Sequence, residues 1–137
     1  DEFKGRFAGY EGRRKTLKVA LTAIEEYEKG VSRAMLEGVG DVPGLNQMPH
    51  VKVYGITDPG RVDERDPTFS FEVEGVSQDE VVRRLWDDHA IAIRAEDFYS
   101  RVHDYYEKPR LIRASFVQYN TLEEAEGLLR ALAEMKA

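Results

Sequence analysis

Apolar and polar positions alternate between two periods along this chain, and the switches between them mark its elements. Leu17, Ala20, Leu21, Ile24 and Tyr27 recur at helical spacing, predicting a helix from about Thr16 to Lys29. Gly30 interrupts that stripe, and Val31, Ala34, Met35 and Val39 extend it as a kinked continuation or a second short helix ending between Gly38 and Gly44. Asp41 to Pro49 reads as loop. Val51 to Ile56 is rich in β-branched and aromatic residues and predicts a strand, closed by the turn signature Asp58-Pro59-Gly60. Phe69, Phe71 and Val73 then alternate with Ser70, Glu72 and Glu74, the period of a strand with one wet face.

The second half repeats this alternation of helices and short strands. Ser77 and Glu80 form a capping-box signature ahead of Val81, Val82, Leu85 and Trp86, so a helix runs to about Asp88 with Trp86 as a core anchor. A short strand follows from Ala90 to Arg94, then a helix from about Glu96 to Tyr106. Leu111 to Val117 forms the next strand. Thr121 and Glu124 cap a last helix that turns Leu122, Ala125, Leu128, Leu129 and Leu132 inward. The pattern predicts an α+β fold: a two-layer domain with a mostly antiparallel sheet of about four strands and helices packed on one face.

Within the last strand, Arg113 is set among apolar residues. A guanidinium is costly to bury without a partner, so its place is at a domain boundary or at a site where a carboxylate meets it with two oxygens. The alternative is an edge-strand arginine whose stem snorkels to water. Strand parity puts Ile112, Ala114 and Phe116 on one face and Leu111, Arg113, Ser115 and Val117 on the other. The first set suits the helix-covered face. The second, mixed set suits a surface covered by another domain or a ligand.

Composition narrows the function classes. With 137 residues, 42% of them apolar, the chain fits one domain with its own core. A formal charge of -6 argues against general nucleic-acid binding, and the basic run Arg13-Arg14-Lys15 reads as a solvated helix start. No apolar run approaches the roughly 20 residues of a membrane span, and a cytoplasmic setting is the default. Cysteine is absent, which excludes disulfides, thiolate metal sites and cysteine nucleophiles within this chain. His50, His89 and His103 show no metal-ligand spacing, and Ser115 sits mid-strand with no histidine near it in sequence. Acidic pairs such as Glu25-Glu26 and Asp87-Asp88 look like solvated helix faces, and Asp58-Pro59-Gly60-Arg61 lacks the following helix of a phosphate loop. The residues do not make a self-sufficient catalyst. The start at Asp1-Glu2-Phe3-Lys4 is consistent with a fragment or a processed piece.

From about Glu11 to Met135 the chain resembles the C-terminal small domain of class V aminotransferases, fold-type I pyridoxal-phosphate enzymes that include cysteine desulfurases, selenocysteine lyase and isopenicillin N epimerase-like proteins. The matching stretches are VPGLNQMPHVKVYG (Val42 to Gly55), TFSFEVEG (Thr68 to Gly75), VVRRLWDDHAIAIRAEDFYS (Val81 to Ser100) and, most specifically, RASFVQYNTLEEAEGLLRAL (Arg113 to Leu132). The resemblance divides the chain into a polar lead-in, 1–10, and a small domain, 11–137. It places Arg113 on the arginine that grips the α-carboxylate of an amino-acid substrate, leaving Asn120 and Thr121 to order the turn and cap the helix behind it. It also implies a homodimeric parent, of transferase or lyase type, in which a large domain absent from this sequence holds the cofactor on a lysine that follows a histidine. Lys4, Lys15, Lys18, Lys29, Lys52, Lys108 and Lys136 do not follow a histidine, so no cofactor-binding or catalytic residue is assigned here.

Two departures qualify the resemblance. Arg94-Ala95-Glu96 has glutamate where the family pattern Arg-x-Gly has glycine, and Tyr99 falls near the desulfurase cysteine. The expectation is a family member that is not a cysteine desulfurase, with Tyr99 or Asp97 at the substrate entrance or simply packed or solvated. The competing expectation is a stand-alone, non-catalytic module of the same fold that binds a small carboxylate or a protein surface.

Overall fold

The computed structural model describes residues 2–97 and 99–135. A short 3₁₀ turn at Lys4–Phe7 precedes helix α1, Gly12–Glu37, after which the chain makes a two-residue hairpin, β1 (Gly38–Val39) with β2 (Val42–Pro43). Then follow β3 (Val51–Tyr54), β4 (Thr68–Val73), α2 (Gln78–His89), β5 (Arg94–Glu96), α3 (Val102–Tyr106), β6 (Leu111–Ser115) and α4 (Leu122–Glu134). The main sheet is antiparallel throughout, in the order β3-β4-β6-β5. The α+β architecture with four strands is the one the periodicity predicts.

The core lies between this sheet and α1, α2 and α4. Phe69 and Phe71 of β4 are fully buried, as are Ile112 of β6, Met35 and Leu36 of α1, Val81 and Leu85 of α2, and Leu129 and Leu132 of α4. Removing each of these large side chains from water contributes about 2 kcal/mol, so β4 and β6 are the strands most firmly held. The opposite face is covered at one end and open at the other. At the covered end α3 lays Tyr106 on Tyr54, with ring centroids 5.0 Å apart, and Leu111 is fully buried while sharing its face with exposed Arg113 and Ser115.

Several expectations need correction. Helix α1 is continuous through Gly30: a helical glycine costs about 1 kcal/mol relative to alanine, and Val31, Ser32, Met35 and Leu36 bury the turns just beyond it. Lys29 also ties that turn to Asp63 at 2.9 Å and Glu25 at 2.9 Å. The stripe ahead of Gly30 is not core, since Leu17, Leu21 and Tyr27 keep 48, 62 and 39% of their surface exposed where the helix overhangs the sheet. The supposed loop 41–49 holds β2 and a 3₁₀ turn at Leu45–Gln47, and Asp58-Pro59-Gly60 opens a 3₁₀ segment, Pro59–Glu64. Glycine is required at 44, where an added Cβ would stand 2.4 Å from the Leu36 carbonyl oxygen.

Trp86 is 61% exposed and anchors nothing in the core. Each helical residue turns by about 100°, so the stripe centred on Val81 and Leu85 leaves Trp86 on the flank. Leu122, at the first turn of α4, is likewise 43% exposed. Ser77 caps α2 by accepting from the Glu80 amide at 3.3 Å, but the reciprocal half of the box is replaced: the Glu80 carboxylate accepts from Arg83 Nη2 and from Arg84 Nε, each at 2.7 Å. These arginines hold the Glu80 carboxyl down to about 2.

The strand expected at 90–94 begins at Arg94 instead. Ala90, in a left-handed conformation (φ 56), and Ile91 close the end of α2 by donating to the Trp86 and Leu85 carbonyls, which carries 91–93 away from the ladder. The helix expected from Glu96 is reduced to Val102–Tyr106. Asp97 holds the preceding turn by accepting from the Tyr99 amide at 3.1 Å, with Tyr99 left-handed (φ 53). Phe98 in that expected helix, and Lys136 among the lysines considered, lie outside the described residues.

Candidate functional site

Arg113 occupies the middle of β6, and the ladder fixes its neighbours. Ser70 of β4 stands opposite on one side and Arg94 of β5 on the other, while Tyr54 of β3 faces Ser70, so Tyr54, Ser70, Arg113 and Arg94 form one row across four strands. Alternation places this row on the face opposite Phe69, Phe71 and Ile112. Parity therefore holds: Ile112, Ala114 and Phe116 are buried, and Arg113 and Ser115 are exposed.

The end of β6 is built with more restraint than its flanking strand. Phe116 donates its amide to the Pro67 carbonyl at 2.9 Å, and Thr68 donates to the Ser115 hydroxyl at 3.2 Å. Asn120 then folds the turn back: its Oδ1 accepts from the Val117 amide at 2.9 Å, its Nδ2 donates to Glu124 Oε2 at 3.1 Å, and its carbonyl accepts from the Tyr27 hydroxyl at 2.5 Å. Thr121 and Glu124 complete a reciprocal capping box, the Glu124 amide donating to Thr121 Oγ1 at 3.2 Å and the Thr121 amide donating to Glu124 Oε2 at 2.9 Å. The Thr121 amide, followed by Asn120, lowers the Glu124 carboxyl below its ordinary range. Asn120 and Thr121 are thus the turn and cap residues expected of them. Tyr27, which read as a core position, is the support that sequence spacing concealed, because its partner lies 93 residues away.

Where 91–93 leave the ladder, a cleft of about 750 Å³ opens between them, β6 and α4. Arg113, Ser115, Ile91, Ile93, Asn120 and Leu128 are among its walls, polar groups of β6 and the turn meeting aliphatic side chains of 91–93 and α4. His89 also borders it. Asp97 and Tyr99 do not: they line a separate depression of about 480 Å³ with Arg101 and His103, and Tyr99 is fully exposed. His50 and His103 are structural, their ring nitrogens 2.9 Å from the Leu132 carbonyl and 3.1 Å from the Lys108 carbonyl. Among the described residues no three His, Asp or Glu side chains gather as a metal site, and no helix is long and apolar enough to cross a membrane.

A second polar cluster secures the covered end of the same face. Glu72 accepts from the Tyr54 hydroxyl, from Lys108 Nζ at 2.9 Å and from Gln78 Nε2 at 3.3 Å. Partial burial opposes ionisation of Glu72, but the Tyr54 and Lys108 hydrogen bonds outweigh it and lower its carboxyl. Glu72 in turn raises the Lys108 ammonium. Neither group projects into the Arg113 cleft.

The chain is similar in sequence and in fold to known proteins. A probable cysteine desulfurase of Halobacterium salinarum is 37% identical over 119 residues, which make up 86% of this chain and 26% of that protein. An aminotransferase-like protein of Gibberella zeae is 32% identical over 123 residues, 84% of this chain and 28% of the other. The solved apo structure of a cysteine desulfurase from Thermococcus onnurineus superposes with a TM-score of 0.70 at 30% identity, over 88% of this chain and 28% of that one. The chain therefore spans about a quarter of the length of the curated relatives it matches. With the family model for class-V aminotransferases matching residues 15–128, from the exposed start of α1 to the buried Leu128 of α4, this chain belongs to the class V aminotransferase family.

Proposed function

We propose that this chain is the C-terminal, substrate-closing domain of a pyridoxal-phosphate-dependent enzyme acting on an amino acid, and that Arg113 receives the substrate α-carboxylate. The observation that carries the reading is the position of Arg113: exposed, in the middle of β6, at the wall of a cleft whose polar end is fixed by Asn120. A planar guanidinium on a strand held by ladders on both sides is a pre-organised fork for two carboxylate oxygens. Holding the carboxylate there fixes how the substrate's Cα bonds lie when the rest of the enzyme presents its cofactor. The overhanging half of α1, with Leu17 and Leu21 exposed, is the surface suited to the large domain of such an enzyme.

The residues present do not fit the cofactor itself. A Schiff base needs a lysine that becomes a neutral amine, yet among the described residues no lysine borders the Arg113 cleft. Hydrogen bonds to Glu25 and Asp63 raise the Lys29 ammonium, and Glu72 raises that of Lys108. Both shifts oppose nucleophilic use. When bound elsewhere in the enzyme, pyridoxal phosphate supplies the electron sink for the chemistry at Cα; this chain's part is to orient the substrate. Cysteine desulfuration through a persulfide on this domain is not the proposed reaction, because the chain has no cysteine and Tyr99 occupies the corresponding loop.

The test is Arg113→Ala in the full-length enzyme. Loss of a charge-paired carboxylate contact should reduce kcat/KM by about 2 to 4 kcal/mol equivalent. Kinetics within a factor of about three of the parent, less than 1 kcal/mol, would remove Arg113 from this role.

A further inference from the structure

Three elements of the fold meet at Asn120. Its side chain accepts from the Val117 amide just past β6 and donates to Glu124 at the start of α4, while its carbonyl accepts from the Tyr27 hydroxyl of α1 at 2.5 Å. The same residue walls the cleft that Arg113 lines, and Tyr27 is not itself among the described residues there. Moving the Tyr27 hydroxyl therefore moves the polar end of the cleft through the turn. This contact locates the turn more than it stabilises the fold, because Tyr27 keeps 39% of its surface exposed and water can stand in for the bond. Its place on α1 is also particular. Tyr27 lies about 6 Å along the axis from Val31, where the buried turns begin, and about 15 Å from Leu17 on the overhanging half. The helix is continuous through Gly30, so a push on its exposed end is carried along a rigid element to Tyr27.

From this geometry we infer that Tyr27 is a positioning residue: through Asn120 it sets the cleft wall beside Arg113 according to how the overhanging half of α1 is seated against the rest of the enzyme. The inference rests on the Arg113 reading and deepens it. Arg113 receives the α-carboxylate, and Tyr27 decides where the wall of that site stands. Positioning of this kind matters because a misplacement of about 1 Å, even when caused far from the reacting atoms, costs roughly a hundredfold in rate. The effect is confined to the part of the substrate that the Asn120 end of the cleft contains, which is its carboxylate.

The test uses the full-length enzyme with pyridoxal phosphate bound and reads dissociation constants from the change in the cofactor's absorbance. The common L-amino acids serve as probes, and the one bound most tightly is compared with the primary amine that lacks only its α-carboxylate. Tyr27→Phe, which removes a single hydroxyl, should weaken the amino acid about threefold, at the low end of what one hydrogen bond contributes, and leave the amine at parental affinity. Arg113→Ala should show the same selectivity with a larger loss. Parental circular dichroism and cofactor content establish that the variants are folded. If Tyr27→Phe weakens both probes alike, the fold has merely loosened, and if it weakens neither, the turn is not coupled to the site; either result overturns the inference while selective loss in Arg113→Ala keeps Arg113 in its role. If Arg113→Ala binds both probes as the parent does or weakens both alike, or if no amino acid binds the parent, that role fails and the inference with it.

Discussion

Replacing Asn120 by alanine tests whether the turn beside Arg113 is held by one side chain. The substitution removes Oδ1 from the half-buried Val117 amide and Nδ2 from Glu124, while the Asn120 carbonyl that accepts from Tyr27 remains. A part-buried N–H left without its acceptor costs about 1.5 kcal/mol, and the exposed amide-to-carboxylate bond contributes about 0.5 kcal/mol. The expected loss is therefore about 2 kcal/mol, a factor of roughly 30 in the unfolding equilibrium. Urea denaturation followed by far-UV circular dichroism measures it as a lower midpoint with an unchanged m-value. Asn120→Asp keeps an oxygen for Val117 but sets a carboxylate beside Glu124, and should fall between the parent and the alanine variant. A shift below about 0.5 kcal/mol for Asn120→Ala, the size of an ordinary surface substitution, would refute the reasoning.

The Glu124 carboxyl is lowered in the folded state, so its contribution is complete above the unfolded carboxylate value of about 4.3 and is lost as pH falls through the lower folded value. Glu124→Gln should accordingly flatten the stability profile below about pH 4.3 relative to the parent; parallel profiles would show that the cap carries no charge component. At Gly44, alanine would force a methyl group to 2.4 Å from the Leu36 carbonyl, and a loss of about 3 kcal/mol is expected by thermal or urea unfolding; near-parental stability would mean that the hairpin after α1 shifts freely. Mixing the chain with pyridoxal phosphate should give no Schiff-base absorbance, and stoichiometric imine formation at one lysine would contradict the assignment of cofactor binding to another domain.

The parts legible in the sequence are those governed by local rules. Alternation in β4, parity in β6 and the Thr121–Glu124 box each depend on residues within a few positions, and each is found as read. Elements decided by distant partners were not legible. The α1 stripe looks equally apolar before and after Gly30, yet only the later part lies over the sheet. Trp86 has the composition of an anchor but the wrong angle on its helix. The displacement of β5 from 90–94 to 94–96 follows from the left-handed Ala90, and alanine carries no signal for that conformation. At the site, Arg113 stood out because a cation interrupts an apolar run. Its opposition to Arg94 needed strand order and register, which a single sequence does not encode.

The length of α1 has a consequence for how this chain opens and closes. At 26 residues it is about 39 Å long, yet its fully buried positions begin only at Val31. Amide protons on its final turns exchange only when the whole fold comes apart, whereas those near Leu17 and Leu21 exchange by fraying of the first turns. One continuous element thus carries a gradient of protection along its axis, and any surface that settles on the exposed end would extend slow exchange toward Gly12.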